Sequence, residues 1–570
     1  MNRINYLSSG ASLIIALFFS NVYSQHQQLE FSGRSMQLQI RDTGERSIRV
    51  TLMPINLNDD LSNNPVLSDI EYSEPVINIS ELSIPIEKEV GNFIVKVLPE
   101  PLKIIVHNKQ GNLIQELTFS DNGQLAFMLD DQPVLGMGEG GPRMGEDWKN
   151  DTIEFDRRGR LHKMEPRWQK NAYGSRNPVA MLVGTGGWGI FVVSPWVQID
   201  LTEKEHGLLI PRHTLDLKND RQTTENQNQN LGKGIPPPES VIPGAFDIIL
   251  FDTNDPLVFM SDLSAITGSA VMPPKWALGY MQSHRTLEDE NQMIEIVKTF
   301  REKQIPVDAV IYLGTGFCPI GWNTEQPSFD FNSDVFKREP SEFIDDLHDM
   351  NVKVIVHIVP WDRDKLPTLH GSIPSETGEE IDESHILSHW KQHTGLVNSN
   401  IDAWWPDEGD WFNLHERIKR HQMYYQGPLS TTPNVRPWSL HRNGHLGIAQ
   451  WGGWVWSGDT DSSWKTLEAQ IAVGINHSVS LSPFWGSDIG GFFPTEELDG
   501  ELYARWFQFG AFCSSFRSHG RTWWTRLPWG WGLSEMGPKE WPENPLESEL
   551  NNPEIEIVCR KYAELRYHFL

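Results

Sequence analysis

The sequence predicts a multidomain protein, an N-terminal all-β sandwich followed by a (β/α)8 TIM barrel, on three observations. Its 570 residues exceed what one hydrophobic core usually organises. From about Leu29 to Asp252, short runs alternate apolar and polar residues between turn formers, the period of strands with one buried face. After Pro273-Pro274 the rhythm changes: apolar strand-like runs alternate with amphipathic helical ones, the pattern of parallel strands joined by helices.

The chain begins with a targeting pattern. Arg3 precedes an apolar run from Ala11 to Phe19, and the small-residue stretch Val22-Tyr23-Ser24 precedes Gln25. Residues 1–24 are therefore expected to be a signal peptide, and the protein to be secreted or periplasmic. The run is too short to span a bilayer, no other stretch approaches the ~20 apolar residues required, and no cysteine follows to carry a lipid.

Residues 25–270 are assigned to the sandwich. Phe93-Ile94-Val95-Lys96-Val97 alternates, Leu102 to His107 follows, and Asn108-Lys109-Gln110-Gly111-Asn112 reads as the next turn. The run Gly136-Met137-Gly138-Glu139-Gly140-Gly141 has the glycines of a phosphate loop, but Pro142 follows it and no helix does, so it reads as a turn in the sandwich. Asn219 to Pro238, rich in Asn, Gln, Gly and Pro, reads as a long polar loop.

Residues 271–570 are assigned to the barrel. The strand candidates are Trp276 to Met281, Val307 to Leu313, Val352 to Val359, Ala403 to Pro406, Val435 to Leu440, Gly453 to Trp456, Val479 to Phe484 and Gly510 to Phe516. Helices are expected around Glu288 to Lys303 and Pro340 to Met350, and a long polar insertion after Val359. Glu554 to Leu570 has helix periodicity without a stop signal, so the chain is expected to end in its last barrel helix.

The formal net charge of -28 repels phosphate backbones and anionic membrane surfaces, which argues against nucleic acid or a membrane as partner. Cys318, Cys513 and Cys559 lie far apart and support neither a disulfide framework nor a zinc knuckle. HExxH and similar signatures are absent from the sequence, so no metal and no cofactor is expected. Oligomeric state is left open.

In a barrel of this kind the active site is built at the C-terminal ends of the strands. The later runs end in Trp404-Trp405-Pro406-Asp407-Glu408-Gly409-Asp410-Trp411, His441-Arg442, Trp456-Ser457-Gly458-Asp459, Gly486-Ser487-Asp488 and Arg517-Ser518-His519. Two facing carboxylates on one rim are what glycosidic cleavage needs, since one protonates the leaving oxygen while the other attacks or stabilises the oxocarbenium-like centre. Flanking tryptophans suit the apolar faces of sugar rings. Each residue also has a plainer reading. A lone aspartate after a strand is ordinarily a turn former or helix cap; Glu408 and Asp410 are expected to orient neighbours; Asp488 could brace its own loop, His519 be a buried structural histidine and Arg442 a scaffold cation.

Several motifs in order resemble glycoside hydrolase family 31: Pro273 to Tyr280 (PPKWALGY), Ile305-Pro306-Val307-Asp308, Trp456 to Thr460 (WSGDT) and Ser487 to Phe492 (SDIGGF), with Tyr173 to Val193 similar to the segment before the family's barrel. The resemblance implies a retaining α-glycosidase with Asp407 as nucleophile and Asp459 as general acid/base. It places Trp405, Arg442, Trp456, Asp488, Phe492 and His519 in the first sugar subsite, and an oligosaccharide or glycoside as substrate. α-Glucosidase is the default activity. An inactive carbohydrate-binding protein and a transglycosylase are the readings of another kind.

Two departures from the family sharpen this. Its second barrel strand normally runs into two aspartates that bind distal hydroxyls, whereas this chain reads Tyr312-Leu313-Gly314-Thr315-Gly316-Phe317, which leaves room for α-galactosidase or α-xylosidase activity. The β domains that family members carry after the last barrel helix are also expected to be missing.

Overall fold

Phe93, Val95 and Val97 are buried while Ile94 and Lys96 between them face outward, so the alternation read from the sequence is a pleated strand over a core. The computed structural model of the protein describes residues 28–55, 64–140, 155–162, 164, 177–193, 197–211, 245–284, 289–318, 320–326, 328–359, 389–408, 414–480, 482–521, 524–533 and 552–570. The expected signal peptide, the polar loop Asn219 to Pro238, the insertion after Val359 and Gly409-Asp410-Trp411 lie outside the described residues.

Among the described residues, sixteen antiparallel strands form two sheets of eight that share one core, with Leu38, Val50, Ile190 and Leu250 of one sheet and Val95, Ile104 and Leu117 of the other in the same cluster. At one edge of the first sheet lies Val134–Gly138. This corrects the turn expected at Gly136 to Gly141: residues 134–138 pair with Pro178–Gly184, and the register shifts between Gly136 and Gly138. Gly138 has φ 60, and a Cβ there would collide with the Asn177 carbonyl, so the bulge needs glycine.

A parallel sheet follows, curled into a barrel. Its strands are Tyr280–His284, Ala309–Tyr312, Lys353–Ile358, Ala403–Pro406, Ser439–His441, Gly453–Trp456, Trp485–Gly486 and Phe516–Ser518; the first seven are each paired to the next, and the eighth is paired to the first. The seam between seventh and eighth is closed by the parallel bridge Ile489 to Ser518 and by Ser515 N donating to Trp485 O at 3.0 Å. Small inward residues Ala309 and Ala403 make room for Trp405, Trp438, Trp454 and Trp456 in the barrel interior.

The last two strands were misplaced by the sequence reading. Val479-Ser480-Leu481-Ser482 alternates like a strand, but Val479 and Ser480 finish the helix Trp464–Ser478, with Ser480 N donating to His477 O. Gly510 to Cys513 likewise finish the helix Gly500–Gly510, and the strand begins only at Phe516. Short apolar stretches after a helix have no periodicity long enough to separate a last turn from a strand.

A second core joins the two parts. Val179, Met181, Phe191 and Phe251 on the outer face of the first sheet pack with the helix Pro256–Thr267 and with Ile418, Val473 and Trp485 of the barrel. That sheet is buried on both faces, which is why Phe246–Asp252 shows no exposed position. Truncating Trp485 in this core is expected to cost about 3–5 kcal/mol, the usual range for a buried tryptophan.

Candidate active site

Asp407 follows directly on the fourth strand, and its N–H donates to Ile358 O at 2.9 Å, continuing the ladder with the third. The chain then turns through Glu408 at φ 55, which bends the backbone away and leaves the Asp407 carboxylate at the barrel mouth. One carboxylate oxygen accepts from Arg442 Nε at 2.8 Å and from the Glu408 N–H at 2.7 Å; the other lies 3.1 Å from His357 Nε2. Gly314 N donates to His357 Nδ1 at 3.2 Å, so Nδ1 is the unprotonated nitrogen and Nε2 carries the hydrogen toward Asp407. Burial pushes the Asp407 carboxyl up, but the Arg442 charge and the His357 hydrogen bond outweigh it and hold the group well below the usual carboxylate range.

Arg442 follows the fifth strand and serves two carboxylates. Its Nε faces Asp407, and its terminal nitrogen lies 3.4 Å from Asp459, three residues past the sixth strand. Asp407 and Asp459 thus meet across one guanidinium, with side-chain exposures of 6% and 13%.

The remaining side chains form a wall. Trp405 and Trp456 meet edge to face with centroids 5.4 Å apart, Trp405 meets His519 at 4.9 Å, and Phe492 leans on His519 at 5.5 Å. Arg517, also at the end of the eighth strand, lies 4.4 Å over Trp405 and 5.1 Å over Trp456, and is ion-paired with Asp488. Burial moves the Asp488 carboxyl up to about 7 despite Arg517. Trp405 Nε1, Trp456 Nε1, Arg517 Nη1 and Asp488 Oδ2 are buried with no hydrogen-bond partner among the described residues.

The ends of the parallel barrel strands thus carry a polar arc of two carboxylates bridged by one arginine, beside an aromatic wall with unpaired donors. The family model described as "Glycosyl hydrolases family 31 TIM-barrel domain" matches residues 270–420 and 383–570. This chain belongs to glycoside hydrolase family 31.

Among family 31 relatives, the α-xylosidase of Saccharolobus solfataricus is 30% identical over 339 residues, covering 54% of this chain and 43% of that protein. The α-glucosidase 2 of Bacillus thermoamyloliquefaciens is 22% identical over 591 residues, covering 94% of this chain and 67% of that protein. The chain therefore spans less than half of the first relative and about two thirds of the second. Of solved structures, the Flavobacterium johnsoniae GH31 dextranase complexed with glucose superposes with a TM-score of 0.69 at 20% identity, over 94% of this chain and 66% of that one. A soil-metagenome GH31 α-xylosidase complexed with xylose gives the same TM-score at 18% identity, over 94% and 82%.

Against this family 31 frame, Asp407, Asp459, Arg442, Trp456, Trp405, Asp488, Phe492 and His519 gather on one rim. Three more residues belong to the cluster and were not singled out from sequence: His357, Arg517 and Ser283, whose Oγ lies 2.8 Å from His519 Nδ1. His357 carried a readable signal, because it shares the inward parity of Ile355 on the third strand and is the one fully buried polar side chain of that strand.

The segment where the family's two aspartates are expected is a tight loop packed on the third strand. Trp322 Nε1 donates to His357 O at 2.6 Å, and Val359 N donates to Gln326 Oε1 at 3.2 Å. A side chain at Gly314 would run into the Gln326 amide and approach the His357 carbonyl, so this loop excludes a carboxylate at that position and fixes His357 instead.

Proposed function

We propose that the protein is an exported retaining α-glycoside hydrolase acting on terminal α-linked sugars. Asp407 attacks the anomeric carbon as nucleophile, and Asp459 first protonates the leaving oxygen and then deprotonates water. The single observation that carries this reading is the shared Arg442, which sets the two carboxylates side by side yet treats them differently. Asp407 takes the closer contact, the His357 hydrogen bond and the greater burial, and so stays ionised; Asp459 is held at longer range and reaches solvent, as a group that must exchange protons requires.

The orphaned donors of Trp405, Trp456 and Arg517 and the acceptor of Asp488 suit sugar hydroxyls, which would supply the partners these buried groups lack. α-Glucosidase is the default activity. The side-chain-free turn at Gly314 favours a second reading, α-galactosidase or α-xylosidase, because the distal hydroxyls that the missing carboxylates would grip are the ones that distinguish these sugars.

A panel of nitrophenyl α-glucoside, α-galactoside, α-xyloside and α-N-acetylgalactosaminide tests the activity, with the anomer of the first-formed product followed by proton NMR. Retention on one member is expected; an inverted product rejects the covalent mechanism, and no turnover on any member supports the silent carbohydrate-binding reading. Sugar-acceptor products at high substrate concentration would mark a transglycosylase. Export is tested by the N-terminus of the mature protein, expected at Gln25.

A further inference from the structure

Behind Arg442 the barrel is gripped by two residues that it does not own. Asn177 immediately precedes the sandwich strand Pro178–Gly184, and Glu139 immediately follows the edge strand Val134–Gly138. Both are buried to within 1% of full coverage. The Asn177 amide spans the interface: Nδ2 donates to Arg442 O at 3.2 Å, and Oδ1 accepts from Gly444 N at 2.8 Å. It thus holds the main chain on both sides of Asn443, at the residue whose side chain bridges Asp407 and Asp459.

Asn177 is itself held. Its backbone N and its Nδ2 both donate to Glu139 Oε2, at 2.9 and 2.8 Å, while Glu139 Oε1 accepts from Trp485 Nε1 of the barrel at 3.0 Å. The bulge described above makes this approach possible, since only a glycine at 138 lets the Asn177 carbonyl come close enough to accept from Glu139 N at 3.1 Å.

We propose that Asn177, braced by Glu139, is a positioning residue for the active site: the sandwich fixes the 442–444 backbone so that the Arg442 guanidinium stays seated between the two carboxylates. Arginine has four side-chain torsions, and a charge placed by a long side chain is only as well fixed as the backbone that carries it. The barrel anchors this turn through Arg420, which donates to Asn443 Oδ1 at 2.8 Å, and His421, whose Nε2 lies 2.8 Å from Asn443 O. Residue 443 is thus tied to the barrel, while Arg442 O and Gly444 N are tied to the sandwich. The role rests on the assignment of Asp407 and Asp459 made above.

The test is a double-mutant cycle on the full chain with the nitrophenyl glycoside that the wild type turns over, using Asn177→Ala, Arg442→Ala and the double variant. Asn476→Ala is the control: it breaks the same interface, where Gly136 N donates to Asn476 Oδ1 at 2.7 Å, without touching 442–444. Asn177→Ala is expected to lower kcat by at least tenfold with KM changed less than threefold, and to shift the acid limb of kcat/KM toward neutral pH. In the Arg442→Ala background the same substitution is expected to cost less than threefold, because its effect runs through the arginine.

Asn177→Ser, a milder loss of the same two bonds, must change kcat and the acid limb in the same directions. Additive losses, an unmoved acid limb, or a kcat loss matched by Asn476→Ala would overturn the positioning role and leave Asn177 a purely structural contact. A wild type inactive on every glycoside would instead overturn the catalytic reading beneath it, so the two failures are told apart by the wild type alone.

Discussion

Arg442 donates from Nε to Asp407 at 2.8 Å and turns its terminal nitrogen toward Asp459 at 3.4 Å, so one guanidinium touches both carboxylates. The contact with Asp407 is the closer, and it holds that carboxyl ionised against its burial. Without it, burial dominates and the Asp407 carboxyl rises, since His357 offers one neutral hydrogen bond. Arg442→Ala is therefore expected to move the acid limb of kcat/KM upward in pH and to lower kcat about a hundredfold, ~2.7 kcal/mol of lost transition-state stabilisation. Initial rates from pH 3 to 8 check it, and an acid limb identical to wild type rules it out.

The two aspartates should fail differently. Asp407→Ala removes the proposed attacking atom and is expected to cost at least about a thousandfold in kcat, ~4 kcal/mol, on every substrate. Asp459→Ala leaves glycosylation possible on an activated nitrophenyl leaving group but starves deglycosylation of its base, so azide should restore turnover and yield a glycosyl azide of retained configuration. Azide rescue in the wrong variant would exchange the assigned roles.

Just past the second barrel strand, a side chain at Gly314 would meet the Gln326 amide and crowd the His357 carbonyl. Gly314→Asp, which puts a carboxylate into that segment, is predicted to destabilise the protein by about 1–3 kcal/mol through overpacking against Gln326. It should also displace Gly314 N from His357 Nδ1 and thereby loosen the hydrogen bond to Asp407. Thermal melting and kcat are both expected to fall, with no gain in glucoside over galactoside turnover; a stable variant that gains glucosidase activity would contradict this.

The fold is expected to be acid-sensitive, because burial depresses the pKa of six of its buried histidines. Burial lowers His389 to about 4 and His421, His445 and His477 to about 3, and takes His393 and His441 well below their usual range. A histidine whose folded pKa lies below its unfolded value binds its proton only after unfolding. Stability is therefore complete above about pH 6.5 and falls as pH drops toward 4, by up to about 1.4 kcal/mol per pH unit for each group. Asp488, raised to about 7, works the other way over the same window, but it is one proton against six. Cooperative unfolding between about pH 4 and 5.5, followed by circular dichroism, is the expected outcome, and His477→Asn, which removes one such proton, should shift the midpoint downward. A melting temperature flat from pH 7 to 4 would refute it.

Much of the fold and part of the site could be read from the chain alone. Period-two runs such as Phe93 to Val97 and amphipathic runs such as Pro340–Asp349 depend on neighbours in sequence, and the rule that sites sit at the C-terminal ends of barrel strands pointed to Asp407, Arg442, Asp459, Asp488 and His519. Asp407, Arg442 and Asp459 follow strands legible in the sequence, whereas Asp488 and His519 follow the two strands whose bounds only the fold places. His357 lies within a strand rather than after one, so the strand-end rule does not reach it.

Sequence by itself determined the sandwich-then-barrel order, the anionic surface and the residue types on the rim, because hydrophobic period and net charge are local or summed properties. Tertiary structure alone decided that Arg442 touches two carboxylates, that Arg517 seats on two tryptophans, that the eighth strand begins at Phe516, and that Glu139 and Asn177 reach the barrel from more than 250 positions away in sequence. Contacts of that span are set by which surfaces pack once the sheet's second face is buried, and no pattern within a strand or helix encodes them.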